Sequence, residues 1–575
     1  MAENPAASSV TNSRAARWTS LLVAVAAATV ALAPLMVAGN VAGHDIHYHI
    51  SWWMDAARQW REGTLYPRWY GGAYHGFGDA TFLVYPPISW MLGAALSALF
   101  PWTAVPGILA WLALTLGGLA MFRLAREWLE DRQSCWAAAL YVVNPYNLLV
   151  VYHRAAYAEL LAAAVFPLVV LFALRLARPA EKNTEDKVDS GKSARSIVPL
   201  ALTLAAISLT NVPAAVITSY SVALLLAVQA VRSRSAAPLV RGAFAGALGF
   251  ALAGVFVVPA AWEQSWVQMR QQLVTGMGPL DNFLFTYTGN PYHHDNFNFL
   301  VSGVSCVLLP MVAVAFTGAL RAARRAAAPS MEALVPLLGL AIACGGLLWS
   351  ASAPVWRTLP RIEYVQFPWR GLFVLNAALV FAIVAAAPRD RTWHAWGAGT
   401  GVAWLLLGTV ILLLTPWDTE GVTEFIATNQ AGGDYRTIAA FAPMGARLDN
   451  VRNGEAALLP SGTGSIPPDA RLTAEPSRTE ERLFSVESSA PVKIEVGVFC
   501  YPAWRAEVNG RRVELEIKSE TGEMIVPVQA GRSRVRVYFA RTTDRTAGAA
   551  VSLCGIAILM GLVWFERRPG RALDR

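Results

Sequence analysis

The stretch GHDIHYHISWWMDAARQWREGTLYPRWYGGAYHGFGDATFLVYPP, residues 43–87, follows the first apolar run of the chain and decides how the rest is read. It mixes His44, Asp45, His47, His49 and Asp79 with tryptophans and tyrosines, and it closes on Pro86–Pro87. Ionisable groups beside aromatic rings at a membrane surface suit a site that holds a polar group next to a lipid tail. The plain alternative is an interfacial loop whose rings sit at headgroup depth, so the surroundings must decide.

Those surroundings are a bilayer. Of 575 residues, 55% are hydrophobic and 15% charged, and the mean hydropathy is +0.40, which describes a polytopic α-helical membrane protein. The formal charge of +8 does not point to nucleic acid, because the basic residues cluster in short loops between apolar runs and so report orientation. The five cysteines, at 135, 306, 344, 500 and 554, form no CxxC pair, which indicates neither a disulfide framework nor a zinc site.

Residues 1–17 carry Arg14 and Arg17 and read as a cytoplasmic start, so the run from 18 to about 41 is a retained first span that leaves Gly43 outside. An odd number of crossings must then separate residues 43–87 from the basic loop 123–132. The apolar stretch 84–101, opened by a proline pair and closed by FPW, is therefore expected to lie at the outer interface, and 104–122 to cross. Further runs at 135–152, 157–176, 197–211, 214–231, 242–262, 298–319, 331–349, 369–387, 395–416 and 546–565 bring the expectation to about 12 spans. Every basic loop, and the tail 566–575, then falls inside. The transmembrane domain covers 18–417, and both termini are cytoplasmic in a multi-pass protein of the plasma (inner) membrane.

Residues 418–545 differ in kind. VKIEVGVF, WRAEVNGRRVELEIK, EMIVPV and SRVRVYFA alternate with the strand period, and Asn509–Gly510 is a hairpin turn, so a small extracytoplasmic antiparallel β-sandwich is expected. The part before about 482 is rich in Gly, Pro, Ser and Thr and reads as irregular.

Several polar groups gather on the outer side by this topology: His153, Arg154 and Glu159, Asn211 before Pro213, Glu263 at a helix end, and Gln366 with Arg370. Singly, each has a dull reading as a snorkelling cation, a cap or a paired acid. Together with residues 43–87 they supply a carboxylate that can deprotonate a hydroxyl and cations that can hold a departing phosphate.

At this point the chain resembles a known family. HDIHYH (44–49), GTLYPRW (63–69), FLVYPPISW (82–90), HRAAYAELLAAAVFPLVV (153–170), TNVPAAV (210–216), VPAAWEQ (258–264), VQFPWRGLF (365–373), FCYPAWRAEVNG (499–510) and VPVQAGRSRVRV (526–537) carry the resemblance. They are similar to the GT-C superfamily of membrane glycosyltransferases, and within it to the YfhO-like bacterial proteins and the membrane group labelled 6-pyruvoyl-tetrahydropterin-synthase-related. The label brings no pterin chemistry with it, since nothing in the sequence looks like that soluble enzyme's zinc-and-cysteine site.

The resemblance implies that Asp45, the acid early in the first outer loop, activates the acceptor or positions a metal. We expect a single base without metal; a divalent ion, Mg or Mn, at His44–Asp45–His47 is the alternative. Substrate contacts are expected from His44, His47, Tyr66, Arg68, Asp79, Tyr85, His153, Arg154, Glu159, Asn211, Glu263, Gln366 and Arg370. The implied activity is transfer of a sugar from a polyprenyl-phosphate donor to a cell-envelope glycan or glycolipid. A non-catalytic envelope assembly protein on the same scaffold stays open. A lipid or glycan transporter would call for intramembrane charges and inverted repeats that the sequence does not display.

Overall fold

Backbone polar groups have no water to bond inside a bilayer, so apolar runs of about 20 residues must become helices. The computed structural model describes residues 5–178, 190–273, 276–290, 294–386, 392–433, 435–451, 458–460 and 469–567. The expected cytoplasmic tail from 568, the loop 179–189 and the loop 387–391 lie outside the described residues. Within them, eight helices are long and apolar enough to cross: Trp18–Ala38, Val105–Ala125, Asp131–Arg154, Tyr157–Ala177, Val212–Ser233, Asp295–Arg325, Pro368–Ala386 and Thr543–Phe565.

Two bent pairs, Ala237–Leu252 with Gly254–Trp266 at 80° and Met331–Leu347 with Ser350–Thr358 at 99°, raise the number to ten. The described residues thus show eight to ten of the expected twelve. The other two runs lie in the helices Ser190–Ser208 and Thr392–Leu413, of 19 and 22 residues.

Hydropathy cannot separate helices that face lipid from helices that face protein, but burial does. Every residue from Leu372 to Val384 is buried, whereas Trp18–Ala38 and Thr543–Phe565 are mostly exposed and so form the rim. The stretch 84–101 contains the helix Pro87–Leu96, opened by Pro87 in its first turn. At ten residues it is too short to span. Thiols placed at the exposed Leu65 and Arg123 in an otherwise cysteine-free chain should therefore label with an impermeant reagent from opposite faces. Labelling of both from one face would mean a second crossing between them.

The first loop is itself part of the core. Its helix Ile46–Arg61 is buried at most positions, and the fully buried Asp55 accepts from Gln59 Nε2 at 2.7 Å and from the Gly71 backbone at 3.2 Å while pairing with Arg58.

The last part carries nine described strands: β1 (Leu458–Pro460), β2 (Arg471–Ala474), β3 (Glu481–Ser488), β4 (Val492–Phe499), β5 (Trp504–Val508), β6 (Arg511–Val513), β7 (Glu516–Ile517), β8 (Glu523–Val528) and β9 (Gly531–Phe539). They form two antiparallel sheets, β1-β4-β8-β7 and β2-β3-β9-β5-β6. Asn509 (φ 51°) and Gly510 (φ 76°) make the two-residue turn between β5 and β6, as the sequence indicates. The region before 482, expected to be irregular, contains the helix Thr419–Gln430, whose N-cap Asp418 accepts from the Gly421 backbone at 2.9 Å.

This unit is seated on the first loop. Trp69 sits against Tyr501, Trp504 and Phe539 at ring distances of 5.6, 5.7 and 5.5 Å, and Glu480 accepts from the Arg68 and Trp69 backbone at 2.6 and 3.1 Å.

Candidate active site

The site begins with a close approach of two backbones. Asp131–Arg154 ends in a π-helical turn, Val150–Arg154, followed by Ala155 in the left-handed region (φ 48°); such turns leave carbonyls free for other partners. The His44 N–H donates to His153 O at 3.1 Å and the Asp45 N–H to Arg154 O at 2.8 Å. Gly43 makes this contact feasible: a Cβ there would lie 2.7 Å from Ala155 Cβ and 2.8 Å from the Ala155 nitrogen. Asp45 is thereby fixed at the start of Ile46–Arg61, with its side chain 36% exposed and its Oδ2 3.4 Å from Arg154 Nη2.

Arg154 is buried and also donates to Glu159 Oε2 through Nη1. Tyr146 donates to the other Glu159 oxygen, and Arg370 Nε lies 3.3 Å from Glu159 Oε2. Two guanidiniums therefore share one buried carboxylate, and Asp45 stands at the edge of the cluster. QFPWR holds the second guanidinium. Gln366 adopts φ 62°, ψ −48°, and the Phe367 N–H donates to Val365 O at 2.7 Å, a strained three-residue turn of the kind found at functional sites. That turn lets Arg370 Nη1 reach Val365 O at 2.8 Å and Gln366 Oε1 at 3.2 Å. Phe367 and Trp369 stack at 4.8 Å, with Arg370 over the first ring and Arg154 over the second at 4.7 and 4.8 Å.

These groups open onto a cavity of about 710 Å³. Of the residues expected from the sequence, His44, Asp45, Tyr85, Arg154, Glu159, Asn211, Gln366 and Arg370 line it. Asn211 does so while capping the helix Val212–Ser233, accepting from the Ala214 backbone at 2.9 Å.

The remaining expected residues are placed elsewhere. His47 meets Phe425 edge-on at 4.4 Å. Arg68 lies over the Tyr66 ring at 4.0 Å. His153 Nε2 is 2.9 Å from Ile411 O. Glu263 is buried in a bidentate pair with Arg545, both contacts 2.8 Å, and accepts from Tyr501 at 2.6 Å, so it joins the bent helix pair to the last helix and the sheet unit. Asp79 is fully buried beside Tyr70, with one oxygen accepting from the Thr81 backbone at 2.8 Å and the other unpartnered.

His44 stacks on His294 at 3.9 Å, and burial followed by the neighbouring His294 lowers its pKa to about 2, so it stays neutral. With His44 turned to His294 and His47 to Phe425, the triplet does not converge on an ion. Among the described residues no group of three or more His, Cys, Asp or Glu side chains is placed to hold one.

Burial raises Asp79 to about 7 from an ordinary 3.8. A raised carboxylate favours the folded state while it is protonated, so stability should be highest near pH 4 and fall by a few kcal/mol as the pH rises to about 7. Asp79→Asn should flatten that slope in thermal unfolding of reconstituted protein. An unchanged slope would assign the pH dependence to another group.

The sequence led us to expect the tryptophans and tyrosines of residues 43–87 to stack on sugar rings without singling out Tyr48 or Trp52, and it gave no role to His49, Tyr146 or Trp369. The first three fall at helical spacing from Asp45, a signal that was available; Tyr146 carried none.

Residues 82–419 match the family model described as 6-pyruvoyl-tetrahydropterin synthase related domain; membrane protein. No curated protein matches the chain. Similar solved structures include ArnT from Cupriavidus metallidurans bound to undecaprenyl phosphate, at 17% identity and TM-score 0.39 over 67% of this chain and 62% of that one. The same protein in the apo state gives 15% and 0.42 over 68% and 63%. The apo oligosaccharyltransferase of Archaeoglobus fulgidus gives 14% and 0.40 over 73% and 56%. The chain thus spans less than two thirds of the length of each.

Proposed function

Because the chain belongs to the membrane-protein family described as 6-pyruvoyl-tetrahydropterin synthase related, its chemistry has to be read from its own cavity, and we propose that it is a glycosyltransferase of the extracytoplasmic membrane face. The donor is a sugar linked to a polyprenyl phosphate and the acceptor a cell-envelope glycan or glycolipid. The observation that carries this reading is the pairing, at one cavity wall, of a partly exposed Asp45 with the buried Arg154–Glu159–Arg370 cluster. A base and an anion hole stand side by side where an apolar tail can remain in the membrane.

In the proposed step the acceptor hydroxyl gives its proton to Asp45, and its oxygen bonds to the anomeric carbon from the face opposite the phosphate. The bond from that carbon to the phosphate oxygen breaks, and the lipid phosphate departs with the electron pair, its added charge held by Arg154 and Arg370. The anomeric configuration inverts.

Tyr85 lines the same cavity and supports the reading: burial, then the Asp45 charge, push its phenol above the ordinary value, so it remains a hydrogen-bond donor at any working pH. The test is transfer in proteoliposomes given a synthetic polyprenyl-phosphate-linked hexose and envelope glycolipids, followed by mass spectrometry. Recovery of only unreacted donor across sugars and acceptors would remove the enzymatic reading in favour of an assembly role.

A further inference from the structure

On a helix of 3.6 residues per turn, positions 45, 48, 49 and 52 share one face. In Ile46–Arg61 that face, Asp45, Tyr48, His49 and Trp52, lines the cavity. The residues between them do ordinary packing: Ile46, Ile50 and Trp53 are fully buried, and Trp53 covers Gly93, where a Cβ would come within 2.3 Å of the ring.

Tyr85 extends the ringed face from the other side, 4.3 Å from Trp52 and 6.4 Å from His49 between ring centres. Tyr48 and Tyr85 are only half-buried. Burial and then the Asp45 charge raise both phenols, which therefore stay protonated donors. The indole N–H of Trp52 and the Nδ1 of His49 are buried without a hydrogen-bond partner, as is the Trp369 indole across the cavity. Trp53 and Trp90 also lack partners, but they do not border the cavity; what distinguishes Trp52, His49 and Trp369 is that they line it.

A lipid tail would use the rings and leave these polar atoms unmet, and a phosphate would use the arginines and ignore the rings. A pyranose uses both features, since its axial C–H bonds form an apolar face and its hydroxyls lie around the edge. We infer that Tyr48, His49 and Trp52, with Tyr85, form a subsite for a pyranose ring, placed within two helical turns of Asp45. The identity of the reaction rests on the glycosyl-transfer reading, but the subsite is defined by binding.

The test uses the full chain in nanodiscs and saturation-transfer NMR with methyl hexopyranosides and methyl pentopyranosides as probes. At least one should receive saturation on its ring protons. Tyr48→Leu, Trp52→Leu and Tyr85→Leu should each weaken it by about 10-fold or more, whereas Lys493→Ala, at an exposed ion pair of the sheet unit, should not. Thermal unfolding identifies any variant that fails to fold, and the half-buried Tyr48 keeps the test usable if Trp52→Leu does not fold.

Displacement by a polyprenyl-phosphate-linked hexose would assign the ring to the donor; coexistence with it would assign the ring to the acceptor. Binding of none of the probes, or equal binding by wild type and all three folded variants, would overturn the subsite. If stripe variants lose binding while Asp45→Asn transfers normally, the reaction is misassigned and the subsite stands.

Discussion

Asp45→Asn should lower the rate of sugar transfer by about 100-fold or more, with membrane insertion and donor affinity close to wild type. The substitution keeps the shape of the side chain and a partner for Arg154 but removes the partly exposed carboxylate on the cavity wall. Its neighbours make suitable controls. Asp55 is enclosed by Arg58, Gln59 and Gly71, and Asp79 by Tyr70 and Thr81, so neither can take a proton from an acceptor. Turnover by the Asp45→Asn protein within a few-fold of wild type would remove the base from this position, and loss in Asp79→Asn instead would move the chemistry along the loop.

The second large effect is expected on folding. Glu159 is buried between Arg154 and Arg370, and Glu159→Gln leaves two buried guanidiniums with too little compensating charge. Breaking a buried ion cluster by removing one partner typically costs about 3–5 kcal/mol. Replacing Arg154, Glu159 and Arg370 together by Met should restore most of the loss, because no unpaired charge remains, yet the triple variant should transfer no sugar. Denaturation of Glu159→Gln indistinguishable from wild type would mean that water or lipid headgroups reach the cluster.

The helical runs and their approximate ends were legible because hydrophobic length is a local property. So was the turn at Asn509–Gly510, which needs positive φ at both residues. HRAAYAE and QFPWR were recognisable as charged islands in apolar sequence, and the fold brings Arg154, Glu159 and Arg370 into one cluster. The residues that went elsewhere did so through partners the sequence does not announce. Glu263 finds Arg545 282 positions later, and Glu480 caps the backbone at Arg68 from 412 positions away. An acid at the end of an apolar run looks the same whether it awaits a substrate or a distant arginine. The bends were not legible either, since a helix pair bent by 80° or 99° reads in hydropathy as one straight run.

The Glu263–Arg545 pair also bears on the order of assembly. The bent helix pair that Glu263 ends contributes Phe256, Val257, Ala260 and Ala261 to the cavity wall, and its buried carboxylate is paired with Arg545 of the helix Thr543–Arg567. During synthesis Arg545 emerges 282 positions after Glu263. Until that helix inserts, a nascent chain carries an unneutralised acid at the membrane boundary and an unfinished wall. Completion of this wall therefore waits on a helix made far later in the chain than the residues that line it.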